Sequence, residues 1–224
     1  MSRSERDISP VARTKAQARA SYDRMSPWYD LLSGSSERKH REAGLAVLKA
    51  SEGETILEIG FGTGHSLLAL ARSVGPSGHI YGLDISAGMR QAAEGRLKAK
   101  GLSDRATLTC GAAARLPYGD DFFDVVCMSF TLELFDTPEI STVLQECRRV
   151  LKTGGRLGVV AMVKGDKPGL MERLYEWFHR RFPTYADCRP IYASKSMQEA
   201  GFNIQDISRS TMWGLPVEVV LARK

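Results

Sequence analysis

Apolar and polar positions along this chain repeat with two different periods, and the switches between them mark its elements. Short strand-like segments, the first an apolar run ending near Glu58, predict strands near 55–60, 79–84, 106–110, 123–130 and 155–163. Between them the spacing becomes helical, near 64–74, 87–100 and 137–151. Pro168 to Phe182 reads as a further helix. Phe202 to Ser208 and Val217 to Ala222 read as two closing strands, with a Gly214-Leu215-Pro216 turn ahead of the last. At the front, residues 1–9 read as disordered and 10–33 as one or two short helices around Pro27. Glu37 to Ala50 reads as an amphipathic helix. Strand and helix in regular alternation predict a doubly wound α/β fold, a parallel sheet with helices on both faces. No repeat or low-complexity linker divides the chain, so a single domain over residues 1–224 is expected.

The chemistry concentrates where the first strand meets its helix. Thr55-Ile-Leu-Glu-Ile-Gly-Phe-Gly-Thr-Gly64 ends an apolar run in three glycines at alternate positions, Gly60, Gly62 and Gly64. Glycine lets backbone pass close to a ligand, and a helix N-terminus offers unpaired N–H groups. Glu58 just before the loop suits a cationic or amine-bearing ligand and is the wrong charge for a pyrophosphate. The second strand closes on Asp84, 20 residues after Gly64. That is the distance at which nucleotide-binding α/β folds place a carboxylate on a ribose diol. Asp84 could equally cap the helix that follows Ile85-Ser86.

These segments resemble the class I S-adenosylmethionine (SAM)-dependent methyltransferases. Leu116-Pro-Tyr-Gly-Asp-Asp-Phe-Phe-Asp-Val-Val126 and Glu146-Cys-Arg-Arg-Val-Leu-Lys-Thr-Gly-Gly-Arg-Leu157 continue the likeness, with Thr153 where proline is usual. The nearest subgroup is the ubiquinone/menaquinone-biosynthesis C-methyltransferases, whose repeated Tyr-Asp pair is similar to Tyr22-Asp23 and Tyr29-Asp30 here. The resemblance implies a Rossmann-like, seven-stranded sheet with its last strand antiparallel. It implies methyl transfer from SAM, with S-adenosyl-L-homocysteine as product, to a small, lipophilic acceptor such as a quinol or a phospholipid headgroup.

On that likeness Glu58, Gly60, Gly62, Gly64, Asp84, Ile85, Met89, Ala112, Ala113 and Ser129 are the expected cofactor-binding residues. Asp84 takes the ribose, Ile85 and Met89 flank the adenine, and the glycines give backbone approach. Gly111-Ala112-Ala113 stands where the family often shows Gly-Asp-Ala, so the usual carboxylate for the adenine amine is missing. Tyr22, Tyr29 and Glu133 are the candidate catalytic residues, the tyrosines from a helical lid over 10–50 and Glu133 beside the acceptor. Residues 164–200, with Met171, Tyr175, Trp177, Phe178 and His179, are the expected acceptor-side cap.

Composition narrows the alternatives. The chain is 43% hydrophobic and 25% charged, ordinary for a globular protein, and no apolar run is long enough to span a membrane. No secretory leader is apparent, and a cytoplasmic protein is expected. Cys110, Cys127, Cys147 and Cys188 form no C-x-x-C pair and read as small buried hydrophobes. The histidines form no metal-binding set, so no metal is expected. The net charge of +5 owes much to the first 50 residues, which hold ten Lys/Arg against six Asp/Glu. This basic arm is a candidate for peripheral membrane contact, but it is too interleaved with acids to argue for nucleic acid. A catalytically silent SAM-binding protein is the main alternative. A nicotinamide-dependent oxidoreductase is disfavoured by Glu58 and by His65 at the helix start. The sequence leaves the oligomeric state open.

Overall fold

The computed structural model describes residues 14–25, 29–164 and 189–224; for 15, 18, 25 and 29–36 it describes the backbone only. The expected disorder of residues 1–9 and the expected helix at Pro168–Phe182 lie outside the described residues. So does most of the expected 164–200 cap.

Helices α1 (Lys15–Met25) and α2 (Tyr29–Leu48) precede the sheet. α1 begins on a reciprocal cap. The Gln17 N–H donates to Thr14 Oγ1 at 3.3 Å, and the Thr14 N–H donates to Gln17 Oε1 at 2.9 Å. The sequence predicted a new helix at Glu37. Instead α2 runs unbroken from Tyr29, because no proline interrupts the stretch and a helix once nucleated propagates. Then come β1 (Thr55–Ile59), α3 (His65–Ser73), β2 (His79–Asp84), α4 (Ala87–Ala99), β3 (Ala106–Cys110) and β4 (Phe123–Ser129). They are followed by α5 (Thr137–Val150), β5 (Leu151–Met162), α6 (Ala193–Glu199), β6 (Asn203–Met212) and β7 (Leu215–Arg223). The short α6 was not foreseen.

The seven strands lie in the order β3-β2-β1-β4-β5-β7-β6. The first five are parallel, while β7 runs antiparallel to both β5 and β6. Both faces of the sheet are covered, and the strand residues alternate between them. From β1, Leu57 and Ile59 pack with Val143, Leu144 and Cys147 of α5. Ile56 points the other way, among Leu48 of α2 and Leu67 and Leu70 of α3. A third cluster joins Ala43 and Val47 of α2 to Val160, Met162, Met212, Leu215 and Phe130.

The closing hairpin is longer than predicted. β6 is the edge strand and is exposed on nearly all its length, so its polar residues carry no strand-like alternation. The turn is Trp213-Gly214 alone, both with positive φ (53° and 79°), the pattern of a type I′ hairpin.

Cys127 and Cys147 are buried as expected, but Cys110 is exposed at the end of β3, close to the sheet's other edge. Cys188 lies outside the described residues.

α2 can approach β5 because Gly158 presents no side chain to Leu48. Gly158→Val should drive a branched side chain into Leu48. Unfolding in urea is expected to show a loss of about 1–3 kcal/mol, as for an overpacked core. An unchanged midpoint would show that α2 does not bear on the sheet there.

Candidate functional site

The strand order reverses between β1 and β4, so the loops after these two strands turn apart and leave a crevice at the carboxyl edge of the sheet. A cavity of about 350 Å³ fills it. One wall is the loop after β1, with Ile59, Gly60 and Gly62. A second is the end of β2 and the start of α4, with Leu83, Asp84, Ile85 and Met89. Gly111, Ala112 and Ala113 follow β3. Ser129, Phe130, Thr131, Leu134 and Phe135 follow β4, with Asp136 and Glu139 at the start of α5. Thr14 and Tyr22 reach in from α1.

Asp84 organises the centre. Its Oδ2 accepts the Gly62 N–H at 3.0 Å and its Oδ1 accepts the Ser86 N–H at 2.9 Å. Burial pushes this carboxyl up, and the backbone donors partly offset that. Gly60 sits at φ 72° with its N–H on the Leu83 carbonyl, and a Cβ there would strike Thr131. Gly62, at φ 51°, has open space where a side chain would go. Gly64 does not line the cavity. Its missing Cβ lets α3 close on Ala93 of α4. Arg96 braces the loop from behind, donating to the Thr63 carbonyl at 2.9 Å.

Ser86 joins α1 to this centre. It caps α4 by accepting the Met89 N–H at 3.1 Å, and its hydroxyl donates to Asp23 Oδ1 at 2.5 Å. The Gly88 N–H donates to the same Asp23 oxygen at 3.0 Å. Asp23 is therefore a second, tertiary cap on α4, and it holds α1 over the cavity. The Ser86 hydroxyl and the Gly88 N–H keep its carboxyl below the usual range.

Besides Gly64, two further expected site residues are placed elsewhere. Glu58 points to the face of β1 opposite Leu57 and Ile59, next to a void of about 20 Å³ that Arg41 and Ser66 also line. Burial raises its carboxyl to about 8, against the Ser66 hydroxyl and the Arg41 charge, and Oε2 has no partner. Glu133 lies in a short 3₁₀ turn after β4 and is fully buried. It faces β5 and not the cavity. Oε1 accepts the Met162 N–H at 3.1 Å, Oε2 has no partner, and burial raises the carboxyl to about 8. The side chain of Tyr29 lies outside the described residues, as do Met171, Tyr175, Trp177, Phe178 and His179.

Sequence reasoning did not single out Thr14, Phe130, Thr131, Leu134, Phe135, Asp136 or Glu139. Their signal was position, since all but Thr14 directly follow a strand end on the binding edge. It also missed Arg189, which is almost fully buried and donates to the Phe135 carbonyl and, at 3.1 Å, to Thr137 Oγ1. Arg189 thereby fixes the loop that forms the cavity's far wall. Among the described residues, no group of three or more acidic, histidine or cysteine side chains could hold a metal, and no helix is long and apolar enough to cross a membrane.

Known proteins share this arrangement. A methyltransferase-domain family model matches residues 56–155. The demethylmenaquinone methyltransferase of Lactobacillus johnsonii is 32% identical over 169 residues, covering 74% of this chain and 68% of its own. That of Geobacillus kaustophilus is 33% identical over 175 residues, covering 78% and 72%. In fold, the chain is similar to the (4+2)-cyclase SpnF, with a TM-score of 0.77 at 23% identity over 97% of this chain and 98% of that one. It is also similar to a SAM-dependent methyltransferase from Aquifex aeolicus, with a TM-score of 0.61 at 23% identity over 82% and 88%. The sheet order and its crevice define a Rossmann-like methyltransferase domain. The chain belongs to the SAM-dependent methyltransferases, sharing its family with the demethylmenaquinone methyltransferases, and it is an enzyme that uses SAM. The nicotinamide reading is thereby set aside.

Two measurements check this geometry. Removing the Asp23 carboxylate (Asp23→Ala) should free α1, so that amides of Lys15–Met25 exchange about tenfold faster or more, approaching a locally open helix. Equal exchange in both proteins would show that Asp23 is no latch. For Glu133, the unfolded chain releases its proton near the ordinary 4.5 while the folded chain holds it to about 8. Stability from this group therefore falls as pH rises through that window. Glu133→Gln keeps an oxygen for Met162 and has no proton to lose. Between pH 5 and 8 it should gain about 1–3 kcal/mol relative to the wild type in urea unfolding. Parallel pH profiles would contradict the burial argument.

Proposed function

We propose that this enzyme transfers the methyl group of SAM to a neutral, lipophilic acceptor of the quinol type. The character of the cavity wall carries the reading. Ile59, Leu83, Phe130, Leu134 and Phe135 make it largely apolar, and its charges are all acidic, at Asp84, Asp136 and Glu139. No Lys or Arg lines it among the described residues. Such a wall suits a cationic donor and an uncharged ring, and it disfavours a phosphate-bearing headgroup. The names of the relatives point to the same acceptor class.

The residues present fit SAM. Asp84 has lone pairs left after its two backbone bonds and would accept the ribose hydroxyls. Ile85 and Met89 would flank the adenine from one side, with Ala112 and Ala113 at its edge. Gly60 and Gly62 would let the amino-acid end lie against backbone, with Ser129 across from them. When bound, SAM supplies both the methyl group and its leaving group. The chain's own work is then to align the acceptor, exclude water and receive a proton. Tyr22 would close the site from α1. Asp136 and Glu139 would be the carboxylates in reach of a quinol hydroxyl. Glu133 would act only by holding the loop after β4 in place, and Glu58 by supporting the glycine loop from behind.

Asp84→Asn keeps the shape of the carboxylate but loses its charge, and Asp84→Ala loses both. SAM binding by calorimetry is expected to weaken by about 1.5–3 kcal/mol in the alanine variant, with the asparagine variant between it and wild type. Unchanged affinity in folded variants would remove Asp84 from the cofactor site. The acceptor is tested by turnover of SAM against demethylated naphthoquinols, phenols, amines, thiols and phosphatidylethanolamine. Quinol methylation is the expected result. Turnover confined to amines or phospholipid would overturn the quinol reading, and SAM binding without any turnover would favour a silent binding protein.

A further inference from the structure

The hairpin tip that ends β6 is built against local preference. A type I′ turn favours Asn or Gly at its first central position, yet Trp213 occupies it at φ 53°. The indole contributes little to the core, since the residue is 59% exposed. A bulky side chain held in an unfavourable backbone region, and left in water, calls for a role outside the fold.

The position of the tip suggests what that role is. Met212 and Leu215, on either side of the turn, are buried in one cluster with Phe130, and Phe130 lines the cavity. The tip therefore stands at the same edge of the sheet as the cavity. His40 of α2 packs edge-on against Phe130, with ring centres 6.2 Å apart. The turn of α2 that carries His40 also carries Arg38 and Lys39, both exposed. Arg38 is paired at 2.8 Å with the exposed Glu42. An amphipathic indole, on the same side of the fold as exposed cations, is the combination that sits in a lipid interface and meets anionic headgroups.

We propose that Trp213, together with Arg38 and Lys39 on the turn of α2 that backs Phe130, seats the cavity edge of the enzyme on an anionic bilayer, from which a lipophilic acceptor enters the cavity. The inference rests on the acceptor being lipophilic, and it moves the membrane contact from the N-terminal arm to the acceptor side of the fold. The indole lies among the headgroups, and the cations fix the orientation. The acceptor then reaches Phe130 and Phe135 without crossing water.

Trp213→Asn supplies the residue that the turn prefers, so the full-length variant should fold at least as well as the wild type. Co-sedimentation with vesicles of phosphatidylcholine and phosphatidylglycerol should fall about tenfold in this variant. Lys39→Glu should lower binding to these vesicles and leave binding to pure phosphatidylcholine vesicles little changed. With a long-chain quinol embedded in the mixed vesicles, turnover by Trp213→Asn should drop about as far as binding. With a short-chain, water-soluble quinol it should match the wild type. Equal vesicle binding by Trp213→Asn and wild type would overturn the proposal. So would a loss of self-association by the variant in sedimentation without lipid, which would make the tip a contact between copies of the chain. If the wild type methylates neither quinol, the acceptor reading fails, while the vesicle binding still decides the docking surface.

Discussion

The site depends on one buried carboxylate. Asp84 ends β2, and its two oxygens take N–H groups from the loop after β1 and from the start of α4. Without it, the glycine loop and the helix would each present unpaired donors at a buried position, at a penalty of about 1–3 kcal/mol apiece. The same carboxylate stands in the cavity wall with lone pairs to spare. One group therefore both closes the loop and lines the cavity, and its backbone bonds keep it satisfied although burial raises its proton affinity.

Ser86 extends this centre outward. Its N–H serves Asp84, and its hydroxyl serves both the Met89 N–H and Asp23. α1 is thus fastened to the same residue that bonds Asp84 in the cavity wall. The hydrogen-bond network of Asp84 therefore extends to α1. Asp23 holds α1 without using Tyr22 or Thr14, and both of these line the cavity.

The far wall is held by a different device. Glu133 and Arg189 are both buried. One accepts from the end of β5, and the other donates to the Phe135 carbonyl and the Thr137 hydroxyl. They pin the segment between β4 and α5 from behind, so that its apolar residues and Asp136 face the cavity. Polar groups buried under an apolar wall fix its shape while leaving the wall itself apolar. The exposed tip at Trp213 lies beyond this wall, joined to it through Phe130.

Much of the fold was legible in the sequence because both faces of the sheet are covered. Strands such as Thr55–Ile59 and Phe123–Ser129 must then read as apolar runs, and helices between them as 3.6-residue patterns. The glycines of the loop and Asp84 were legible because positive φ and a strand-end carboxylate each demand particular residue types at fixed spacing. The edge strand β6 was under-read, since a strand exposed on nearly all its length has no apolar alternation to display. Direction was not legible either. Glu58 and Glu133 occupy the right segments, but along β1 side chains alternate between faces, which sends Glu58 behind the sheet, and the 3₁₀ turn after β4 turns Glu133 to β5 and not to the cavity. The sequence by itself determined the order of elements, the glycine loop and the class of ligand. Only the tertiary structure decided which acids face the cavity, that Arg189 and Glu133 both brace its far wall, and that Asp23 ties α1 to the start of α4. These depend on contacts between residues up to 65 positions apart, which local periodicity does not encode.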